Sequence, residues 1–279
     1  MIIESEGVTL NVHERGEGPP IILVHPGPGL DGSVFFPWFE RLEPNYRLLA
    51  VDLPGNGRSD RKEPGDWTVQ SWARDVKGLA ESLGFQSYTL LGHSFGARVA
   101  LQHAVDFPGH AARIVISGGI AHSGAFEHLD ATFESFGTPE LRTRVEHGFE
   151  LEETVQTPAE CHAAWADQMP FFMAQPDGPT QVELEKLWRS VAYSPEIHRH
   201  GSFGDFDVRP HLQDIHVPAL VITGAVDRIT RPEESRAIAG PMPNAHLEIV
   251  EGAGHFPFAE QPDAYFGALR AWLNPSSPA

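Results

Sequence analysis

The stretch LLGHSFGARVALQHA (90–104) changes character at one residue. Apolar, strand-like residues run into Gly92, His93 and Ser94, and a helical pattern rich in Ala and Val follows Phe95 and Gly96. A serine hydroxyl is a weak nucleophile until a base takes its proton, and the base in turn needs an acid to orient it. Two later residues complete such a set. Asp227 lies in ALVITGAVDRI (219–229), just past an apolar run, and His255 lies in LEIVEGAGHFPFAEQP (247–262), in a loop bracketed by glycines. The order Ser94, Asp227, His255, each after a strand-like run, is one in which this set is known to recur, and its chemistry is acyl transfer through a covalent serine intermediate. Gly92 and Gly96 leave room for a sharp turn that strains the serine backbone and pushes its hydroxyl into a cleft.

Attack by Ser94 on a carbonyl puts negative charge on its oxygen, which needs donors aimed at it. The amide of Phe95, next after the nucleophile, is one candidate. The loop HPGPG (25–29) after the run PIILVH supplies the other. Pro26 has no N–H, so Gly27, whose missing side chain lets the backbone approach a ligand, is the expected donor. His198 and His200 are not accompanied by a carboxylate or cysteine cluster with ligand spacing, so no metal is expected, and acyl transfer of this kind needs no organic cofactor. The single cysteine, Cys161, reads as packing.

The elements that must hold these residues are legible as alternating strand and helix patterns. Apolar runs occur at VTLNVH (8–13), PIILVH (20–25), YRLLAVD (46–52), YTLLGH (88–93), RIVISG (113–118), ALVITG (219–224) and HLEIV (246–250). Most are apolar throughout, as strands buried on both faces should be, which predicts an α/β fold with a mostly parallel central sheet flanked by helices. TVQSWARDVKGLAESLG (68–84) reads as a helix capped by Thr68 and stopped at Gly84, and 261–273 as a closing helix. Between Gly118 and about Arg209 the alternation breaks. That stretch holds helical patches at 157–169 and 178–192 and no strand pattern, so the expectation is a core of 1–118 and 209–279 with a helical insertion at 119–208.

A 279-residue chain with 41% hydrophobic residues can bury one large core, and a formal charge of -18 disfavours nucleic acid and anionic membranes. No stretch is apolar for long enough to cross a bilayer and the N-terminus has no leader pattern, so a cytoplasmic protein acting on a small molecule or short peptide is expected.

HPGPG, DLPGNGRSD, GHSFG, GAVDRI and GAGHFPFAEQP, in that order, make the sequence resemble the α/β-hydrolase superfamily over nearly its whole length. HPGPG in particular resembles the His-Gly-Gly-Pro-Gly loop of prolyl iminopeptidases, with Pro26 in place of a glycine, and GHSFG stands where those peptidases usually have Gly-Gly-Ser-Trp-Gly. The resemblance implies a helical cap inserted after the sixth strand and a serine hydrolase that cleaves an ester or amide. An iminopeptidase-like activity comes first, a carboxylesterase or lactonase second, and a cofactor-independent dioxygenase or ligand receptor on the same fold last. An enzyme that removes an N-terminal residue must pair its ammonium with a carboxylate. Glu153 and Glu160 in the insertion are candidates, beside Glu150 and Glu152, with Trp165, Phe171, Phe172 and Trp188 as an apolar pocket.

Overall fold

A computed structural model describes residues 1–152, 154–200 and 206–274 of the chain. Glu153 lies outside the described residues, as do the side chains of His198 and His200. The chain opens with β1 (Ile2–Ser5), β2 (Val8–Arg15), β3 (Pro20–Val24) and β4 (Arg47–Val51), then alternates α1 (Val69–Ser82), β5 (Thr89–His93), α2 (Phe95–Asp106) and β6 (Arg113–Ser117). After β6 come five helices, α3 (Leu129–Glu134), α4 (Pro139–Glu152), α5 (Pro158–Phe172), α6 (Pro179–Trp188) and α7 (Pro195–His200). The chain closes with β7 (Ala219–Gly224), α8 (Pro232–Ala239), β8 (Ala245–Val250), α9 (Pro257–Glu260) and α10 (Pro262–Leu273).

The eight strands form one sheet in the order β1-β2-β4-β3-β5-β6-β7-β8. β2 pairs antiparallel with β1 and β4, and every other neighbouring pair is parallel. The apolar strands read from the sequence are β2 to β8. β1 was not among them: Ile2–Ser5 turns back on Val8 through Glu6 and Gly7, both at positive φ (49° and 80°), and pairs only along the sheet edge. Its mixture of exposed and buried residues carries no apolar run.

Side chains alternate across the central strands, and this builds two cores. Ile22, Val24, Leu90, Ile114 and Val221 face α1, α2 and α8, around Trp72 and Phe95. Ile21, Leu23, Leu91, Val115 and Leu220 face the other way, toward Phe35, Phe39 and α10, and that core runs on into the helical segment through Trp165, Phe171 and Trp188. α1 forms where the sequence predicts it: the Thr68 hydroxyl caps it by accepting from the Ser71 amide (3.1 Å), and its apolar stripe Trp72, Val76 and Leu79 is buried.

The helical segment leaves from β6 and returns to β7, which are neighbours in the sheet. Its two ends are joined to each other. His122 and Asp207 form an isolated antiparallel bridge, the Ser123 amide donates to the Phe206 carbonyl (2.9 Å), and the Val208 amide to that of Ala121 (2.9 Å). Among the described residues no helix is long and apolar enough to cross a membrane.

Candidate active site

Ser94 stands between β5 and α2 with φ 54° and ψ -115°, a backbone conformation that L-residues avoid at a cost of about 1–3 kcal/mol. The surrounding backbone enforces it. A Cβ on Gly92 would come within 2.0 Å of the Gly96 carbonyl oxygen, and one on Gly96 within 2.1 Å of the Val24 carbonyl oxygen in β3. The Ser94 amide donates to the Ser117 carbonyl of β6 (2.8 Å), so three adjacent strands hold the turn.

The three residues separated by sequence meet here. His255 Nε2 lies 2.8 Å from Ser94 Oγ, and His255 Nδ1 lies 2.8 Å from Asp227 Oδ2. A carboxylate can only accept, so Nδ1 carries the proton and Nε2 is the acceptor for the serine hydroxyl. Asp227 is 3% and His255 1% exposed. The Asp227 carboxylate is held by three more donors, the Ile229 and Thr230 amides on Oδ1 (2.9 and 3.0 Å) and the Thr230 hydroxyl on Oδ2 (2.8 Å). With its orientation set from behind, the aspartate can in turn set that of the imidazole.

The histidine loop is fixed by a residue that sequence reasoning did not single out. Glu260 accepts from the amides on both sides of His255, Gly254 (2.9 Å) and Phe256 (3.1 Å), on one oxygen, and from Ala174 (2.7 Å) on the other. Burial pushes its carboxyl up from the usual range, and the three amides pull against that shift. The amide of His255 itself donates to the Phe172 carbonyl (2.7 Å). Arg228, also not anticipated, donates to the carbonyls of Phe171 (3.3 Å) and Met173 (2.7 Å) and lies over the Phe136 ring. A glutamate in GHFPFAE and an arginine next to Asp227 are visible in the sequence, but only the folded loops reveal what they hold.

Phe95 begins α2, where amides point outward and the helix dipole favours a negative charge. Gly27 has φ +117°, and its amide has no acceptor among the described residues. Its loop is braced from both sides. His25 Nδ1–H donates to the Pro26 carbonyl (2.7 Å), and the Gly29 amide donates to the Asn56 side chain (2.8 Å) in the DLPGNGRSD loop. His13, Asp31 and Asp52 bring three metal-ligand atoms within 4.8 Å of one another. Their carboxylates already accept from the amides of Gly32 and Arg58 (Asp52) and of Ser33 and Ala192 (Asp31), which makes the group a loop clamp. His93 is fully buried and donates to the Ser117 carbonyl (3.1 Å). Burial first, then the nearby His255, hold it uncharged.

The residues singled out in the helical segment divide. Phe172 stands with its ring centre 5.4 Å from that of His255. Trp165 packs on Phe172 (5.5 Å) and Trp188 on Phe256 (5.1 Å), one ring further out. Phe171 turns the other way, into Phe133, Phe136 and Phe149. Glu160 is not brought to the serine. It is exposed at the start of α5 and forms a capping box with Thr157, its carboxylate accepting from the amides of Gln156 (2.7 Å) and Thr157 (3.0 Å). These N–H donors hold its carboxyl below the usual range.

Known proteins are similar to this chain in sequence and in fold. The proline iminopeptidase of Lactobacillus helveticus is 25% identical, over 94% of this chain and 92% of its own length. Among solved structures, a thermophilic esterase from Thermogutta terrifontis is 26% identical with a TM-score of 0.76, covering 99% of this chain and 98% of that one. An α/β fold family hydrolase from Bacillus anthracis str. Sterne superposes with a TM-score of 0.80 at 23% identity, covering 98% of each chain. The model of the alpha/beta hydrolase fold matches residues 19–262, from the strand before the Gly27 loop to the helix after His255. The sheet order, the strained serine turn and that match lead to one conclusion: the chain belongs to the alpha/beta hydrolase fold family.

Proposed function

We propose that the protein is a serine hydrolase that cleaves a carboxylic ester or amide through an acyl-enzyme. Ser94 Oγ attacks the carbonyl carbon while His255 Nε2 takes its proton, and Asp227 stabilises the imidazolium that forms. The amides of Gly27 and Phe95 receive the oxyanion. The tetrahedral intermediate collapses as His255 returns the proton to the leaving group, and water, deprotonated by the same nitrogen, releases the acid. The observation that carries this reading is the unbroken chain Ser94 Oγ, His255, Asp227 with both links at 2.8 Å. A fluorophosphonate should label Ser94 alone in peptide mass spectrometry, and Ser94→Ala should lose both adduct and turnover. An adduct elsewhere, or full activity of that variant, overturns the assignment.

In the same reading residues 119–208 act as a cap over a core of 1–118 and 209–279 and select the substrate. An iminopeptidase-like activity is supported by the HPGPG loop and by the Lactobacillus relative. A small-ester hydrolase or lactonase is the second reading, supported by the likeness to the Thermogutta esterase. Prolyl p-nitroanilide, its N-acetyl derivative and aryl acetates separate the two. Cleavage of the free amine well above the acetylated anilide supports the peptidase, and ester cleavage alone supports the esterase.

A further inference from the structure

The helical segment buries more hydrogen-bond donors than it satisfies. Trp165 Nε1, Trp188 Nε1 and Tyr193 Oη, three of the segment's unpartnered groups beside Gln168 Oε1 and Ser194 Oγ, are sealed from solvent and have no partner among the described residues, in side chains of residues 7%, 2% and 6% exposed. A buried donor without an acceptor is unfavourable and uncommon, so three in one region call for an occupant.

The three come from different elements, and two of them pack on the rings that flank His255. Trp165 packs on Phe172 and Trp188 on Phe256, and those two rings flank the His255 imidazole at 5.4 and 5.2 Å. The two indoles also meet each other, centres 5.6 Å apart. Tyr193 arrives by the oxyanion side. The Ser194 amide donates to the Gly29 carbonyl (2.9 Å) and the Ala192 amide to Asp31 Oδ2 (3.0 Å), which lays residues 192–194 along the Gly27 loop. Its ring also stands 6.0 Å from His162, one turn before Trp165 on α5.

We infer that Trp165, Trp188 and Tyr193 form a subsite for a neutral substrate oxygen, so that the substrate carries a ketone, ether or second carbonyl beyond the bond that is cut. Indole N–H groups can only donate, which excludes an ammonium as their partner. A carboxylate would be desolvated there and set near the Asp31 carboxylate beside residue 192, which is costly. A purely hydrocarbon chain would leave the three donors as they are. This inference rests on the hydrolase reading above and holds for an ester or an amide.

Shape-matched pairs test it. On the acyl side, p-nitrophenyl 4-oxopentanoate is compared with p-nitrophenyl 4-methylpentanoate. On the alcohol side, 2-methoxyethyl acetate is compared with butyl acetate in a pH-stat. The oxygen-bearing member should be preferred by about 10-fold or more in kcat/KM in at least one pair. In Trp165→Phe, Trp188→Phe and Tyr193→Phe that ratio should fall toward one. Tyr193→Phe is nearly isosteric and keeps the test open if a tryptophan variant does not fold. Among the six tryptophan indole signals of Ser94→Ala in nitrogen-15 NMR, those of Trp165 and Trp188 should move downfield with the oxo ester and not with its methyl analogue. Ratios within two-fold in both pairs of the unmutated protein, or a preference that survives all three variants, overturn the subsite. Absence of all ester and anilide turnover instead overturns the hydrolase reading, and the indole signals then decide the subsite separately.

Discussion

The serine turn and the helical segment that follows β6 are ordered by opposite means. At the turn the contacts are backbone on backbone: a single methyl on Gly92 or Gly96 would lie 2.0 or 2.1 Å from a carbonyl oxygen. In the helical segment the contacts are ring on ring, with Phe171 among Phe133, Phe136 and Phe149, and Trp165 between Phe172 and Trp188. Backbone contacts admit no change of size, whereas apolar side chains can be exchanged at roughly constant volume for less than about 1.5 kcal/mol. The serine turn is therefore rigidly specified, and the helical segment is open to variation.

The strongest way to break that contrast is electrostatic. Asp227→Asn keeps every atom in place but leaves the imidazole in the wrong tautomer, so kcat should fall about 10⁴-fold with the thermal transition little changed. Near-full activity would mean that another carboxylate orients His255. The steric version is Gly96→Ala, which must part α2 from β3 and should destabilise the fold by about 4 kcal/mol or more in urea titration. Phe171→Leu, in the same assay, should cost clearly less. Equal losses would erase the distinction between the two regions.

Acid should act on the turn's own helix. His103 in α2 donates from Nδ1 to the Ala73 carbonyl (3.0 Å) and accepts on Nε2 from the Tyr88 hydroxyl (2.9 Å), and burial pulls it down to about 4. Its unfolded value is about 6.5, so between roughly pH 6.5 and pH 4 the unfolded chain binds a proton that the folded chain refuses, and stability falls as pH falls, by about 3 kcal/mol over the window. His103→Gln should remove about one proton from the pH slope of unfolding, and an unchanged slope would show that His103 is not responsible. The smallest effect expected is that of Glu160→Ala, about 1 kcal/mol of stability from the lost capping box, with kcat/KM unaltered for every substrate. A raised KM for free-amine substrates would return Glu160 to the cleft.

What could be read from the sequence follows the same divide. Ser94, Asp227 and His255 are legible because each ends an apolar strand run, and a parallel sheet gathers such ends at one edge. The partners that steady them are not, since Thr230, Arg228 and Glu260 act on backbone and carboxylate groups whose positions exist only once the loops fold. Glu160 is one of several glutamates that the insertion offers as candidates, and TPAE (157–160) also carries the Thr-x-x-Glu capping signature, which reads as a helix start. Trp165 and Trp188 read as parts of an apolar pocket, yet the sequence says nothing of whether their N–H groups find acceptors.

The paired ends of the helical segment have a consequence for how such a protein can change. Because Ala121 to Ser123 and Phe206 to Val208 hydrogen-bond to each other beside two neighbouring strands, the ends stay together whatever lies between them. Lengthening the intervening chain adds only a closure entropy that grows slowly, about 0.6 kcal/mol per doubling for a flexible loop. The segment thus has a fixed socket at its two ends, and one transplanted from a relative at these two positions must also renew the contacts that Phe172 and Ala174 make with the histidine loop, or the setting of His255 is lost with the segment exchanged.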